Sequence, residues 1–186
     1  MTQNNTIDKN YAFDEMMVHV PFCSHNNIQK ILVIGNVSEY FKEQINKHQY
    51  NEIVFCDTLN IKEDKYDIIL NMQDTLLDDQ FVSLVDRYLE PTCGIFVTKS
   101  AFVFKDLEQV KKDLSILGKY FWISMPYSFG HNTLLFASKK YHPQAQIVLQ
   151  VSDLLPDCQY YNTELHNASF VYPTYITKAL TGIAKR

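Results

Sequence analysis

Glycine is scarce in this chain, with five among 186 residues. No three of them fall within the short span that a G-x-G-x-x-G dinucleotide loop requires. The four cysteines, Cys23, Cys56, Cys93 and Cys158, lie far apart and form no C-x-x-C pair. Their spacing suggests neither zinc nor a disulfide framework, and no metal is expected. Cys56 and Cys93 lie in or beside apolar runs and read as buried small hydrophobes. Clustered Lys and Arg are missing and the net charge is −4, which excludes the basic face that a nucleic-acid partner needs. No apolar segment is long enough to span a bilayer. The polar opening, residues 1–6, lacks the apolar core of a secretory signal. A soluble domain in the reducing cytoplasm is the expectation, with neither nucleic acid nor membrane as partner.

What is present is an apolar and rather aromatic chain, 46% hydrophobic and 13% aromatic. Its length suits one domain with a genuine core. Residues 1–10 read as a disordered tail and 11–186 as a single domain. The chain is hung from Lys30-Ile31-Leu32-Val33-Ile34-Gly35-Asn36. Here a continuous apolar run of strand length ends at a glycine. A helical stripe follows, with Val37, Tyr40, Phe41 and Ile45 on one face. That is how a buried parallel strand hands over to its crossover helix. Ligands of open α/β sheets sit at the carboxyl ends of such strands, so Gly35 and Asn36 should line the pocket.

Residues 8–19 can form a short helix that Pro21 ends. A second strand, Glu52-Ile53-Val54-Phe55-Cys56-Asp57, closes on an acid, and only eight residues (58–65) separate it from a third, residues 66–71. A parallel crossover normally takes a dozen or more residues and contains a helix. The chain must move sideways by about 10 Å while running back along about 17 Å of strand. Eight extended residues reach about 26–29 Å, so a helix-free link suffices. The sheet therefore reads as one shortened by a strand–helix unit, with the second strand left at an exposed edge. Such an edge calls for cover, and a homodimer formed through it is expected.

The second half is more regular. Leu77, Phe81, Leu84, Val85 and Tyr88 stripe a helix that Pro91 and Gly94 terminate. Residues 95–98 form a strand, and Leu107, Val110, Leu114 and Leu117 recur at helical spacing. Residues 120–125 and 132–138 read as an antiparallel hairpin with residues 127–131 as its loop. Trp122, between Phe121 and Ile123, reads as core. Pro173 opens a last helix to about Ala184. Strand and helix alternate and end in a hairpin. This is a Rossmann-like α/β layout of the class I S-adenosylmethionine methyltransferase type, mostly parallel with a C-terminal antiparallel hairpin.

Four segments resemble the spermidine synthase (aminopropyltransferase) family. Glu15-Met16-Met17-Val18-His19-Val20-Pro21-Phe22 is similar to that family's E-M-x-x-H-x-P-L helix. Ile31-Leu32-Val33-Ile34-Gly35 is similar to V-L-V-I-G, and Tyr66-Asp67-Ile68-Ile69-Leu70 to Y-D-V-I-I. Tyr160-Tyr161-Asn162-Thr163-Glu164-Leu165-His166-Asn167-Ala168-Ser169-Phe170 and the residues up to Pro173 resemble Y-Y-N-x-E-x-H-x-A-A-F-x-L-P. The resemblance runs from about Tyr11 onward and corresponds to the family's C-terminal catalytic domain. The small N-terminal β domain that roofs the family's active site has no counterpart in this sequence. The G-G-G-D-G-G loop reads Gly35-Asn36-Val37-Ser38-Glu39-Tyr40. Ser38 falls where an aspartate would hold the aminopropyl ammonium, and Glu39 is the nearest stand-in. Phe13 and Asp14 take the place of a Tyr-His pair facing the substrates. The D-S-x-D motif, whose first Asp helps deprotonate the amine, reads Asn71-Met72-Gln73-Asp74. The missing strand–helix unit would embrace the adenine.

The resemblance implies transfer of an aminopropyl group from decarboxylated S-adenosylmethionine, as co-substrate, to putrescine or a related polyamine. An aliphatic amine has a pKa near that of Lys, about 10.4, so a base must strip its proton and carboxylates must hold its far ammonium. Asp74, just past a strand end, is the candidate catalytic carboxylate, or else a loop and capping residue. Asn71 cannot serve as a base. Asp57 is placed for ribose hydroxyls or is a turn residue. Glu39 is also favoured where it stands by the helix dipole. Lys99 puts a cation near the pocket. His19 and His166 read as hydrogen-bonded structural residues, and no two histidines are spaced as evident metal ligands. The departures leave a second reading open, a catalytically inactive homologue acting as a binding or interaction module. A methyltransferase on the same scaffold is a third reading, with nothing to mark its acceptor.

Overall fold

The computed structural model describes residues 11–186 apart from Glu63 and Thr75. The expected tail, and the start of the first helix at Asp8, therefore lie outside the described residues. In chain order the elements are α1 (Tyr11–Phe22), β1 (Lys30–Ile34), α2 (Glu39–Asn46), β2 (Glu52–Cys56), β3 (Ile68–Asn71), α3 (Asp79–Tyr88) and β4 (Ile95–Ser100). They continue with α4 (Leu107–Tyr120), β5 (Ile123–Phe129), β6 (Asn132–Ser138), α5 (Leu149–Ser152), α6 (Thr163–Ser169) and α7 (Thr174–Leu180).

The strands form one six-stranded sheet in the order β2-β1-β3-β4-β6-β5. β2, β1, β3 and β4 run parallel, while β6 runs antiparallel to both β4 and β5. Successive strand side chains point to opposite faces, and both faces here are covered. Ile31, Val33, Ile68, Leu70, Ile95 and Val97 pack beneath α1 and α2. Leu32, Ile34, Ile69 and Phe96 pack against Val82 and Val85 of α3 and Val110, Leu114 and Leu117 of α4. Burial on both sides is why these strands read as unbroken apolar runs.

The β2–β3 link carries no helix among the described residues, and β2 stands at the sheet edge with Phe55 43% exposed. This is the shortened sheet that the eight-residue gap implied.

Several local expectations are corrected. Pro21 does not end α1 but lies inside its last turn. The helix carries past it because Cys23 N–H still reaches His19 O at 2.8 Å. β5 does not stop at Met125 but runs to Phe129, pairing Tyr127 with Leu134 and Phe129 with Asn132. Pro126 is tolerated there because β5 is an edge strand. The hairpin loop shrinks to Gly130-His131, with Gly130 at φ +53°. Trp122 is 77% exposed; Phe121, 2% exposed, takes the core position beside it. Cys56 and Cys93 are half-buried, whereas Cys23 is the fully buried thiol. The last helix ends at Leu180, with Pro173 as its N-cap.

Candidate functional site

The carboxyl ends of β1, β3 and β4, together with the hairpin turn, enclose a cavity of about 430 Å³. Asn36, Val37 and Ser38 enter it from the β1–α2 loop, Met72 and Asp74 from the segment after β3, and Lys99 and Ser100 from β4. Phe13 and Asp14 of α1 close one side, and His131, Asn132 and Thr133 the other. A larger cleft of about 860 Å³ opens at the other end of β1, but amides such as Asn26, Gln49 and Gln150 line it, with no carboxylate. Displacement chemistry on an amine needs carboxylates, so the smaller cavity is the candidate site.

Of the two residues expected to line the pocket, Asn36 does and Gly35 does not; Gly35 instead packs behind it against the loop after β3. Its φ is +99°, and an added Cβ would stand 3.1 Å from Gln73 Cγ and 3.3 Å from Gln73 N. Only glycine lets the loop after β1 approach the loop after β3 this closely. Ser38 is the N-cap of α2. Its Oγ accepts from Phe41 N–H at 2.9 Å and donates to Asp14 Oδ2 at 2.6 Å. Asp14 is 4% exposed. Asp74, by contrast, has a side chain 88% exposed, and its Oδ1 pairs with Lys99 Nζ at 2.8 Å. The same ammonium lies 5.2 Å from the centre of the Phe13 ring. Lys99 is thus held between a carboxylate and an aromatic face.

The remaining expected site residues are not in this lining. Glu39 is 84% exposed and pairs with Lys42 at 2.7 Å. Asp57 is exposed beyond β2, where its carbonyl accepts from Gln73 Nε2 at 2.6 Å. Asn71 is fully buried beneath the cavity, donating from Nδ2 to Thr98 Oγ1 at 3.0 Å and accepting from Gln73 N–H at 3.3 Å. The fold thus gathers Asp14, Ser38 and Asp74 and leaves Glu39, Asp57 and Asn71 out of contact with the cavity. His131, Asn132 and Thr133 were missed. One signal could have found them: a strand antiparallel to β4 must begin where β4 ends, here Ser100 opposite Thr133.

A second polar centre lies deeper. Glu15 is fully buried. Its Oε2 accepts from Tyr160 N–H at 2.8 Å and Tyr161 N–H at 2.7 Å, and its Oε1 from Gln159 N–H at 2.8 Å and from Tyr40 Oη–H. Burial pushes its pKa up, but these four donors outweigh that and hold it below the ordinary carboxylate value. His19, one turn along α1, bonds to His48 at 2.8 Å with the two rings tilted at 50°.

The parallel sheet with its antiparallel hairpin, and the crevice at its carboxyl ends, define a Rossmann-like domain of the S-adenosylmethionine methyltransferase type. Within that class the chain belongs to the spermine/spermidine synthase family, whose domain model matches residues 10–181. It is 23% identical to a polyamine aminopropyltransferase of Sodalis glossinidius, over 92% of this chain and 78% of the relative. It is 27% identical to one of Clostridium beijerinckii, over 93% of this chain and 79% of that one. The first alignment is 226 positions long against a chain of 186, so the relative carries at least 40 positions (226 less 186) with no counterpart here. A spermidine synthase from Thermotoga maritima has the same fold, with a TM-score of 0.79 at 21% identity, over 92% of this chain and 74% of that one. A spermidine synthase solved in complex with the transition-state analogue AdoDATO matches with a TM-score of 0.78 at 21% identity, over 92% and 75%. Among the described residues, no helix is long and apolar enough to cross a membrane.

Proposed function

We propose that this protein is an aminopropyltransferase of the spermidine synthase type, using decarboxylated S-adenosylmethionine as co-substrate and putrescine or a related amine as acceptor. One observation carries the reading. Asp14, hydrogen-bonded by Ser38, and Asp74 line a single cavity at the carboxyl ends of the central strands. The family's aspartate is absent at position 38, but Asp14 returns a carboxylate to within 2.6 Å of that position from a different element. One carboxylate can hold the distal ammonium and the other can take the proton of the attacking amine. The nitrogen lone pair then forms the new C–N bond while the C–S electrons return to sulfur as a neutral thioether. Gly35 lets the co-substrate approach the backbone.

The Lys99–Asp74 pair favours a second reading. An ammonium of the chain's own already sits where a substrate ammonium would bind, which suits an inactive homologue that acts as a binding module. Titration calorimetry with decarboxylated S-adenosylmethionine, followed by mass spectrometry for spermidine after putrescine is added, separates the two. An enzyme yields product, and Asp74→Asn lowers its rate on the order of 10²–10⁴-fold, as removal of a general base does. Binding without product leaves the module reading; no binding and no product removes the proposal.

We further propose that residues 11–186 act as one domain, working in the cytoplasm, and pair into a homodimer through β2, whose outer edge and Phe55 are uncovered. Light scattering should give twice the chain mass, and Phe55→Lys should return it to the monomer. A wild-type monomer at high concentration would end that idea.

A further inference from the structure

Three loops at the amino ends of the parallel strands converge opposite the candidate active site. They are the α1–β1 loop with His25, the residue before β3, Asp67, and the turn before β4 with Cys93. One imidazole nitrogen, one carboxylate oxygen and the Cys93 sulfur all lie within 4.8 Å of one another. We infer that His25, Asp67 and Cys93 form a three-ligand site for a borderline-soft divalent cation, with zinc the best match.

Two independent observations support a ligand there. His25 is 4% exposed, and its Nε2 is buried with no hydrogen-bond partner. A buried ring nitrogen left orphaned costs stability that a bound cation would recover. Its Nδ1 only receives a long 3.2 Å contact from the amide of Asn27, an exposed residue. When Nε2 binds a cation the ring proton moves to Nδ1, and this long contact with the Asn27 N–H is given up. Asp67 is also already oriented: Oδ2 accepts from Gln29 N–H at 2.6 Å and Lys30 N–H at 2.9 Å, which leaves Oδ1 for a cation. Backbone donors that hold a ligating carboxylate are the outer support that metal sites use.

The donor set selects the ion. One thiolate, one imidazole and one carboxylate match zinc, at bond lengths of about 2.3, 2.0–2.1 and 2.0–2.2 Å. The ligand atoms already lie within 4.8 Å of one another, and two of the three stand on loops that can draw them together around an ion. The two anionic ligands balance a dication. His25 also lines the large cleft at this end, so water can supply a fourth ligand. Binding would release the Cys93 proton to solvent, so affinity should rise with pH. Sequence spacing gave no hint, because the three ligands come from separate loops.

The probe is zinc alone, titrated calorimetrically into untagged, metal-free full chain at about pH 7.5, with cobalt as a spectroscopic reporter. One zinc per chain is expected, on the order of micromolar or tighter, with a thiolate-to-cobalt charge-transfer band in the near ultraviolet. Cys93→Ser should abolish the band and weaken zinc by at least about tenfold, no less than loss of an outer-shell partner does. His25→Ala should weaken it similarly. Cys158→Ser should change neither; it tests the other cysteine–histidine contact, Cys158 Sγ to His19 Nε2 at 3.5 Å. No zinc uptake by the wild type overturns the inference. So does a cobalt band that survives Cys93→Ser and vanishes in Cys158→Ser. The wild-type spectrum and the half-buried Cys93 keep the test decisive if His25→Ala fails to fold.

Discussion

Glu15→Ala should destabilise the protein by about 3–5 kcal/mol, the range for removing one partner of a buried charged network. For a chain of this length that is a melting temperature roughly 6–20 °C lower. The reason is the count of donors. Each carboxylate oxygen of Glu15 accepts two hydrogen bonds: Tyr40 and Gln159 on Oε1, Tyr160 and Tyr161 on Oε2. Alanine would leave three backbone N–H groups and a phenol facing a void. Glu15→Gln should cost nearly as much, because its NH₂ group would meet two donors where two acceptors are needed. Tyr40→Phe, which removes a single donor, should cost only about 1–2 kcal/mol. Thermal unfolding by circular dichroism ranks the three. A Glu15→Gln variant that melts like the wild type would refute the account.

This clasp explains what could be read from the sequence. Glu15 and His19 belong to one quoted motif and Tyr160, Tyr161 and His166 to the other, 145 positions apart for Glu15 and Tyr160. The structure locks the two together: Glu15 caps the backbone of 159–161, and His19 packs on Tyr161 at 5.0 Å. The most recognisable residues are therefore those that join α1 to the C-terminal segment. They reveal the fold well and say little about turnover. The apolar runs of β1, β3 and β4 were legible for a similar reason, since burial on both faces leaves an unmistakable signature.

The cavity was legible only in part, because its contacts cross between elements. Asp74 was visible as an acid past a strand end, but its pairing with Lys99 spans 25 positions and two strands. Ser38 looked like a lost aspartate; that Asp14 stands 2.6 Å away depends on how α1 crosses α2. Glu39 followed Ser38 in sequence and so was a natural substitute, yet the first turn of α2 directs it to Lys42. Trp122 was misread as core and the strand was ended too early at residue 125: Trp122 stands just before an edge strand, where an indole can stay exposed, and the same edge position lets β5 run on through Pro126 without its N–H.

Acid should weaken the fold through its buried histidines. His19, His48 and His166 are buried at 0%, 8% and 0% exposure. Burial lowers His19 to about 4, with Lys47 adding to the fall and Gln44 and Glu15 opposing it. Burial likewise lowers His166 to about 4 and holds His48 well below its ordinary value, the latter helped by His19 and Lys47. The hydrogen bonds agree with neutral rings. Gln44 Oε1 can only accept, so His19 carries its proton on Nε2 and takes one from His48 Nε2–H at Nδ1. A second proton on His19 would set two N–H groups against each other. The unfolded chain binds these protons near pH 6.5 and the folded chain does not, so stability is full above that pH and falls as pH drops towards 4. His19 and His166 should each cost roughly 2 kcal/mol by pH 5, a large share of a typical 5–15 kcal/mol. Urea midpoints should stay nearly level from about pH 7.5 to 6.5 and then fall steadily to pH 5, and His48→Asn should flatten that slope; a midpoint constant across the whole range would sink the argument. Glu15 cannot supply this loss. Its lowered pKa contributes stability above about 4.5 that disappears only as pH falls through its folded value, so weakening between pH 6.5 and 5 belongs to the imidazoles.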